Sequence, residues 1–246
     1  MMALPILETA TYELTLPSKD VKVKFRPFLV KEEKILLQAL ESGENKEMVS
    51  ALKQIVHACT FGKVDINTLP IFDVEYIFLQ IRAKSVGEVT KLKLLCPDDK
   101  KTYAEVEIDL SKVEVHVDEN HTNNIVVDES KKIGLIMSYP TINTVDPEGD
   151  KKGMKTKQMF EMLANTVYQV YEGDKIHAAG DYSKEEMHKF LESLDAKAYR
   201  KINEFFDTMP KLKQDVEIEN PTTKVKSQLT LQGIADFFVL PSLTNR

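Results

Sequence analysis

The clearest periodic pattern in the chain lies between residues 69 and 87, where apolar side chains recur at steps of three and four residues. The apolar positions are Ile71, Val74, Ile77, Phe78 and Ile81. Because these steps follow one face of an α-helix, they predict a core helix, with Pro70 in its first turn and Gly87 just past its end. The positions predicted to face solvent are Asp73, Glu75 and Gln80, while Arg82 and Lys84 could turn toward the residues that follow.

The first sixty residues predict a hairpin followed by two helices. Residues 11–28 alternate apolar and polar side chains on both sides of the turn sequence PSKD, as in two antiparallel strands. The positions predicted to point outward are Lys22, Lys24 and Arg26. Residues 29–41 and 47–60 each carry an apolar stripe at helical spacing, so they predict two helices joined by the polar turn ESGENK.

Strand-like alternation dominates residues 88–142. One hairpin is predicted around the turn CPDDKK, a further strand follows Ser111, and two short strands flank the turn DESKK. Residues 143–155 concentrate Asp, Pro, Gly and Lys, which predicts an exposed loop or a linker.

Helical spacing returns in residues 156–171. A second helix is predicted to start after Asp181 or after Ser183, and Ser183 and Glu186 are spaced as in a capping box. A third helix is predicted over residues 196–209, since Pro210 would end it. The remaining predicted elements are strands at residues 211–219 and 224–231 and a final helical turn.

This order of elements predicts an α+β fold, in which helical layers pack with antiparallel β-hairpins. At 246 residues and 42% hydrophobic composition, the chain is predicted to form one composite domain over residues 1–246. Its approximate segments are a β-hairpin at 1–30, a helical part at 31–87, a β-rich part at 88–142, a second helical part at 156–210, and a hairpin with a terminal helix at 211–246.

Composition and charge exclude several classes of partner and compartment. The net charge of −6 arises from 39 acidic and 33 basic residues spread along the chain, so no basic stripe predicts a nucleic-acid partner. No apolar run approaches the roughly 20 residues that span a bilayer, and the first residues lack the features of a signal peptide. The pattern therefore favours residence in a cytoplasm, without a membrane partner.

The two hairpins on either side of the C-terminal helices share a turn pattern. Each has a Pro just after its first strand, a polar turn, a Lys and an alternating second strand. Such hairpins often carry CxxC pairs that together bind zinc, but here Cys96 is accompanied by Asp99, Asn220 and Thr223. No cofactor and no stoichiometric zinc are therefore expected. Two interpretations remain open: degenerate, metal-free zinc knuckles, or ordinary hairpins with the same turn preference.

A search for catalytic patterns finds none above background. No phosphate-binding glycine motif and no HExxH motif occurs. His57 and Cys59 are two residues apart on a predicted helix, so they point to different faces and make a poor nucleophilic pair. His121, in the polar sequence DENHTNN, is predicted to be solvated. The protein is therefore predicted not to be an enzyme.

The loop before the second helical part is the candidate surface for a protein partner. Its charges and glycines give it little reason to be buried, and functional contacts often lie on such loops. The candidate contact residues are Asp146, Glu148, Asp150, Lys151, Lys152 and Met154. The alternative is a disordered connection without a binding role.

The sequence resembles the T4-type phage baseplate hub proteins over nearly its whole length. The resemblance rests on LPIFDVEYIFLQIRAKSVGE, on the hairpin with Cys96 and Pro97 at its turn, and on LTLQGIADFF near the C-terminus. That family includes a baseplate hub subunit and a longer hub assembly catalyst. The chain length and the start MALPILETATYELTLPS look closer to the longer member. In relatives the hairpins often carry CxxC knuckles, whereas this sequence keeps only Cys96 at these positions. Any zinc-dependent stability of the relatives is therefore not expected here.

The resemblance implies a late phage protein of tail morphogenesis that binds other baseplate hub proteins, as an assembly chaperone in the host cytoplasm. "Catalyst" in the family name refers to promotion of assembly. A structural hub subunit located in the virion tail baseplate is the alternative. A small enzyme that uses Cys59 or Cys96 is the third and least favoured hypothesis. The oligomeric state does not follow from the sequence.

Overall fold

The computed structural model describes residues 8–144 and 156–237, in which helices alternate with short antiparallel strands. The helices are α1 (Val30–Ser42), α2 (Asn45–Cys59), α3 (Ile71–Val86), α4 (Thr156–Thr166), α5 (Lys184–Glu192), α6 (Ala196–Thr208) and the single turn α7 (Gly233–Asp236). The strands are β1 (Tyr12–Thr15), β2 (Lys22–Phe25), β3 (Val89–Leu95), β4 (Tyr103–Asp109), β5 (Glu114–His116), β6 (Asn124–Asp128), β7 (Ile133–Met137), β8 (Val167–Glu172), β9 (Lys175–Ala178), β10 (Lys211–Glu219) and β11 (Lys226–Gln232). The predicted α+β fold with antiparallel hairpins is confirmed.

The described strands form small sheets, and the chain divides into two compact units. The sheets have the strand orders β1-β2, β3-β4, β11-β10-β5 and β6-β7-β8-β9. One unit contains Met1–Ile66, Phe72–His116 and Lys211–Arg246, and the other contains Asn67–Ile71 and Val117–Pro210. That the whole chain behaves as one composite domain stays a prediction.

Helix α3 is the buried helix that the apolar stripe predicts. Val74, Ile77 and Ile81 are fully buried, and Phe78 is 2% exposed. The prediction that Asp73 faces solvent is wrong. The turn between β1 and β2 covers this position, and the Asp73 carboxylate accepts hydrogen bonds from the backbone N–H of Ser18, at 3.1 Å, and from its hydroxyl. A stripe on one side of a helix indicates which face is apolar, but it cannot show that the polar face is also buried.

The two long hairpins of the first unit pack into one apolar core. Leu92 and Ile108 from the hairpin β3-β4 share this core with Leu212 and Ile218 of β10. Strand β10 also pairs with β5, with Leu212 opposite Val115. The C-terminal hairpin thus packs beside the earlier one, because apolar side chains on the inner face of each are buried against the other.

The second unit places three helices against the four-stranded sheet. Helix α5 begins as predicted, with the Ser183 hydroxyl accepting from the Glu186 N–H at 3.2 Å and the Glu186 carboxylate accepting from the Ser183 N–H at 2.8 Å. This reciprocal pair satisfies two N–H groups at the helix start. The core residues of the unit include Leu135, Leu163, Met187, Leu191, Ile202 and Phe205.

The helix predicted over residues 156–171 is wrong in its second half. Helix α4 ends at Thr166, and the next six residues form β8, which pairs with β7 so that Val170 lies opposite Leu135. Residues 167–172 are rich in Val and Tyr, which fit a sheet surface, and Gly134 of β7 leaves room for the ring of Tyr171. Sheet pairing therefore overrides the helical spacing.

Candidate protein-interaction surfaces

The six loop residues predicted to contact a partner lie outside the described residues. They are Asp146, Glu148, Asp150, Lys151, Lys152 and Met154. The described chain stops at Thr144 and resumes at Thr156. The role of this loop stays a prediction.

The turns of the two long hairpins share one backbone geometry. In the first turn, the N–H of Lys100 donates to the carbonyl of Cys96 at 2.9 Å, and Lys100 has φ of 53°. In the second, the N–H of Lys224 donates to the carbonyl of Asn220 at 2.9 Å, and Lys224 has φ of 63°. The shared turn preference inferred from the sequence is therefore real at the level of the backbone, and Asn220 occupies the position that corresponds to Cys96.

Polar side chains connect the two turns across more than a hundred residues of sequence. The Asp98 carboxylate accepts hydrogen bonds from Nδ2 of Asn220 at 3.0 Å and from Oγ1 of Thr223 at 2.5 Å. These hydrogen bonds hold the pKa of Asp98 below its usual value. Asn220 is 1% exposed, and its own Oδ1 accepts from the N–H groups of Thr222 and Thr223. The turns are thus joined by a carboxylate and an amide.

Asp98→Ala is expected to lower the urea midpoint of the first unit, because it breaks hydrogen bonds between distant turns. Asp109→Ala is the matched control, since Asp109 accepts mainly from the nearby Ser111 and Lys112. Because the folded pKa of Asp98 lies below its unfolded pKa, the stability that Asp98 contributes is present above the unfolded pKa. It is lost as pH falls through the folded pKa. The difference between the variants should therefore shrink below about pH 4, the unfolded pKa of Asp. Equal midpoints at pH 7 would contradict this role.

Both thiols are deeply buried. Cys59 and Cys96 are each 0% exposed. Burial raises the pKa of the Cys59 thiol to about 11, and it also raises that of Cys96, where Asp98 and Asp99 add to the effect. Because the thiolate is the nucleophilic form, neither side chain is activated at neutral pH.

His121 has a structural environment, and the prediction that it is solvated is wrong. Its ring nitrogens lie 3.0 Å from the hydroxyl oxygens of Thr208 and Tyr139, and its ring packs on Phe205 with centroids 5.2 Å apart. Burial lowers the pKa of His121, so the neutral ring is favoured. The polar sequence around His121 gave no sign that α6 would cover it.

A groove of about 380 Å³ lies in the second unit between the four-stranded sheet and α5. Its apolar lining consists of Ile133, Val170, Met187 and Phe190. Its polar lining consists of Glu172, His177, Tyr182 and Glu186. We call this feature the β9 groove, because His177 belongs to the edge strand β9. An apolar floor with a few polar groups at its margin is typical of a recognition site.

The polar margin of the β9 groove is partly fixed by internal hydrogen bonds. Nδ1 of His177 lies 2.5 Å from the hydroxyl oxygen of Tyr182. Hydrogen bonds from the backbone and hydroxyl of Ser183 lower the pKa of Glu186, so this carboxylate is negatively charged at neutral pH. The sequence-based interpretation missed this groove because β8 was assigned to a helix and β9 was not predicted. The sequence EGDK, with Gly173 after an alternating run, is the turn signal that could have revealed both strands.

Two other classes of site, metal centres and membrane-spanning helices, concern residues 8–144 and 156–237. In this part of the chain no group of three or more His, Cys, Asp or Glu side chains is arranged to hold a metal ion. No helix in the same ranges is long and apolar enough to cross a membrane.

Comparison with known proteins identifies one family. A family model described as T4 bacteriophage base plate protein matches residues 9–239. The match extends from before β1 to beyond α7, so it includes every helix and strand described above. Neither the curated proteins nor the solved structures contain a match to the chain.

Proposed function

Because this chain belongs to the T4 bacteriophage base plate protein family, we propose that it promotes assembly of the tail baseplate hub by binding other hub proteins. The observation that carries the proposal is the family match over residues 9–239, which spans both compact units. The chain acts through protein contacts and performs no covalent chemistry in this proposal. Its partners are other baseplate hub proteins.

The chemistry of the two cysteines supports binding over catalysis. The chain has two cysteines, and a cysteine enzyme would need one of them as an accessible thiolate. Cys59 and Cys96 are both buried, and the pKa of each is raised. Under the proposed function, phage production is therefore expected to continue when Cys59 and Cys96 are both replaced by Ser.

A structural hub subunit is the second candidate, and the family description favours it as much as an assembly factor. The two functions differ in where the chain ends up. An assembly factor works in the host cytoplasm and is left out of the finished virion, whereas a subunit remains in the tail baseplate in fixed copy number. Quantitative mass spectrometry of purified virions separates them, and the proposed function predicts no stoichiometric copies.

A further inference from the structure

The outer edge of β9 has backbone groups that pair with no other strand in the described part of the chain. A two-residue turn at Gly173 joins β8 to β9, and Glu172 pairs with Lys175 beside the turn. In an antiparallel hairpin of this kind the pair next to the turn is hydrogen-bonded and the following pair is not. Ile176 belongs to that following pair, opposite Tyr171, so its N–H and C=O point away from β8. Among the strands that the structure describes, β9 is the last of its sheet.

The β9 groove lies directly beside this edge. His177 follows Ile176, and because side chains alternate along a strand, His177 and Ile176 point to opposite faces. His177 lines the groove, whereas Ile176 is 64% exposed on the other face. A strand added along β9 would therefore place alternate side chains beside the groove and beside Ile176. Main-chain hydrogen bonds and a pocket for alternate side chains are the two components of β-strand addition.

The charge around the β9 groove indicates what kind of strand would fit. Residues 172–186 contain five acidic side chains and two basic ones. The acidic residues are Glu172, Asp174, Asp181, Glu185 and Glu186, and the basic residues are Lys175 and Lys184. Two of the acids, Glu172 and Glu186, line the groove itself. Because the described lining of the groove holds these two carboxylates and no Lys or Arg, an approaching segment that carries Lys or Arg is favoured there.

We propose that the β9 groove binds an extended segment of another baseplate protein, which pairs with the free edge of β9, inserts an apolar side chain between the sheet and α5, and places a basic side chain near Glu172 and Glu186. This proposal rests on the proposed function and specifies its contact. The backbone of Ile176 supplies the hydrogen bonds, and the lining residues Val170, Met187 and Phe190 supply the apolar pocket.

A second copy of this chain is a poor occupant of the same edge. Strand β9 has four residues and begins with Lys175, and short edge strands with Lys are protected against pairing with each other. Pairing two β9 edges would also bring the acidic groove margins of both copies together, which costs electrostatic free energy. A heterologous segment with basic residues avoids this repulsion between two acidic margins.

Ile176→Pro is the variant that tests the free edge most selectively. Pro lacks the N–H and blocks an approaching strand, but it is tolerated on an edge strand where the N–H faces outward. Ile176→Thr is the matched control, because Thr keeps the N–H and favours strands. Both variants are expected to keep the circular dichroism spectrum of the wild-type chain.

The binding probe is an array of overlapping 12-residue peptides that covers the other baseplate proteins of the same phage. Peptides that bind the full chain are expected to alternate apolar residues and to contain Lys or Arg. In fluorescence anisotropy, Ile176→Pro should weaken their binding at least about tenfold, equivalent to about 1.4 kcal/mol, while Ile176→Thr changes it less than about threefold. Glu172→Gln should weaken binding at low salt, with a smaller effect as salt rises.

Each outcome bears on the proposal. Absence of any binding peptide, or equal binding by Ile176→Pro and wild type, would overturn it. A dimer of the wild-type chain that Ile176→Pro abolishes would also overturn it, in favour of a second copy. In phage that lack the chain, complementation separates this site from the proposed function. If phage without the chain give no yield but Ile176→Pro restores full yield, the β9 groove is rejected as the binding site. The proposed assembly function is then unaffected.

Discussion

Phe78→Ala is expected to lower the free energy of unfolding by about 3 to 5 kcal/mol, the usual range for truncating a buried Phe. Phe78 is 2% exposed in α3, and its neighbours along the helix, Val74, Ile77 and Ile81, are fully buried. The structure around a buried ring relaxes only partly after truncation, so a cavity remains. Because the chain has no Trp, chemical denaturation followed by circular dichroism is the suitable measurement.

Phe61→Ala is the control for this prediction, since it makes the same chemical change at a position that is 49% exposed. A surface truncation of this kind is expected to change the free energy of unfolding by no more than about 0.5 kcal/mol. If the two variants unfold at the same denaturant concentration, α3 is not the core helix of the first unit.

Glu32→Ala is expected to lower the free energy of unfolding by up to about 3 kcal/mol, because it leaves the mostly buried guanidinium of Arg26 without its carboxylate partner. Nη2 of Arg26 lies 2.9 Å from Oε1 of Glu32, and their side chains are 11% and 3% exposed. The other carboxylate oxygen of Glu32 accepts from the N–H of Leu29 at 2.9 Å, at the start of α1. The substitution therefore removes both an ion pair and a helix-terminal hydrogen bond.

Two comparisons isolate the buried ion pair. Glu88→Ala breaks the solvent-accessible pair with Lys84 and is expected to change the free energy of unfolding only slightly. The double variant Arg26→Met with Glu32→Leu should recover much of the stability that Glu32→Ala loses, because it leaves no unpaired charge. A loss from Glu32→Ala as small as that from Glu88→Ala would show that the buried pair is not stabilising.

The Glu32 prediction has a defined pH dependence. Burial alone would raise the pKa of Glu32, but the hydrogen bonds from Arg26 and from the Leu29 N–H lower it below its usual value. The stability that Glu32 contributes is therefore present above its unfolded pKa of about 4.3 and is lost as pH falls through the folded pKa. The difference between wild type and Glu32→Gln should accordingly decrease when the denaturation is repeated in acid.

The sequence predicts elements well where one face of an element is apolar and its ends are marked. Helix α3 has a stripe that ends near Gly87, and α5 begins at the Ser183 capping box, so both were located within about two residues. Prediction fails where burial involves the polar side of an element. Asp73 and Arg26 are both predicted to face solvent. In the structure Asp73 instead accepts hydrogen bonds from Ser18, which is distant in sequence, and Arg26 donates to Glu32 of the next element.

The candidate site depends on pairings that no local pattern contains. Strand β8 has apolar residues at both helical and strand spacings, and only its pairing with β7 decides between them. Once β8 is a strand, the turn at Gly173 defines β9 and the groove beside it. The contact between the hairpin turns was partly predictable, because Asn220 was recognised as a position equivalent to a zinc-ligand site. The sequence gives no sign that Asp98 is its partner, because the hydrogen bond between Asn220 and Asp98 spans 122 residues of sequence.

The proposed assembly function is tested most directly by counting this chain against known hub proteins in two samples from one infection, the cell lysate and the purified virions. Isotope-labelled peptides from the described part of the chain serve as standards for mass spectrometry. The account predicts that an affinity-tagged copy co-purifies with baseplate hub proteins from the lysate and is far below stoichiometric in virions. Recovery of no hub protein above a tag-only control would contradict binding to the hub, and stoichiometric copies in virions would show a structural subunit.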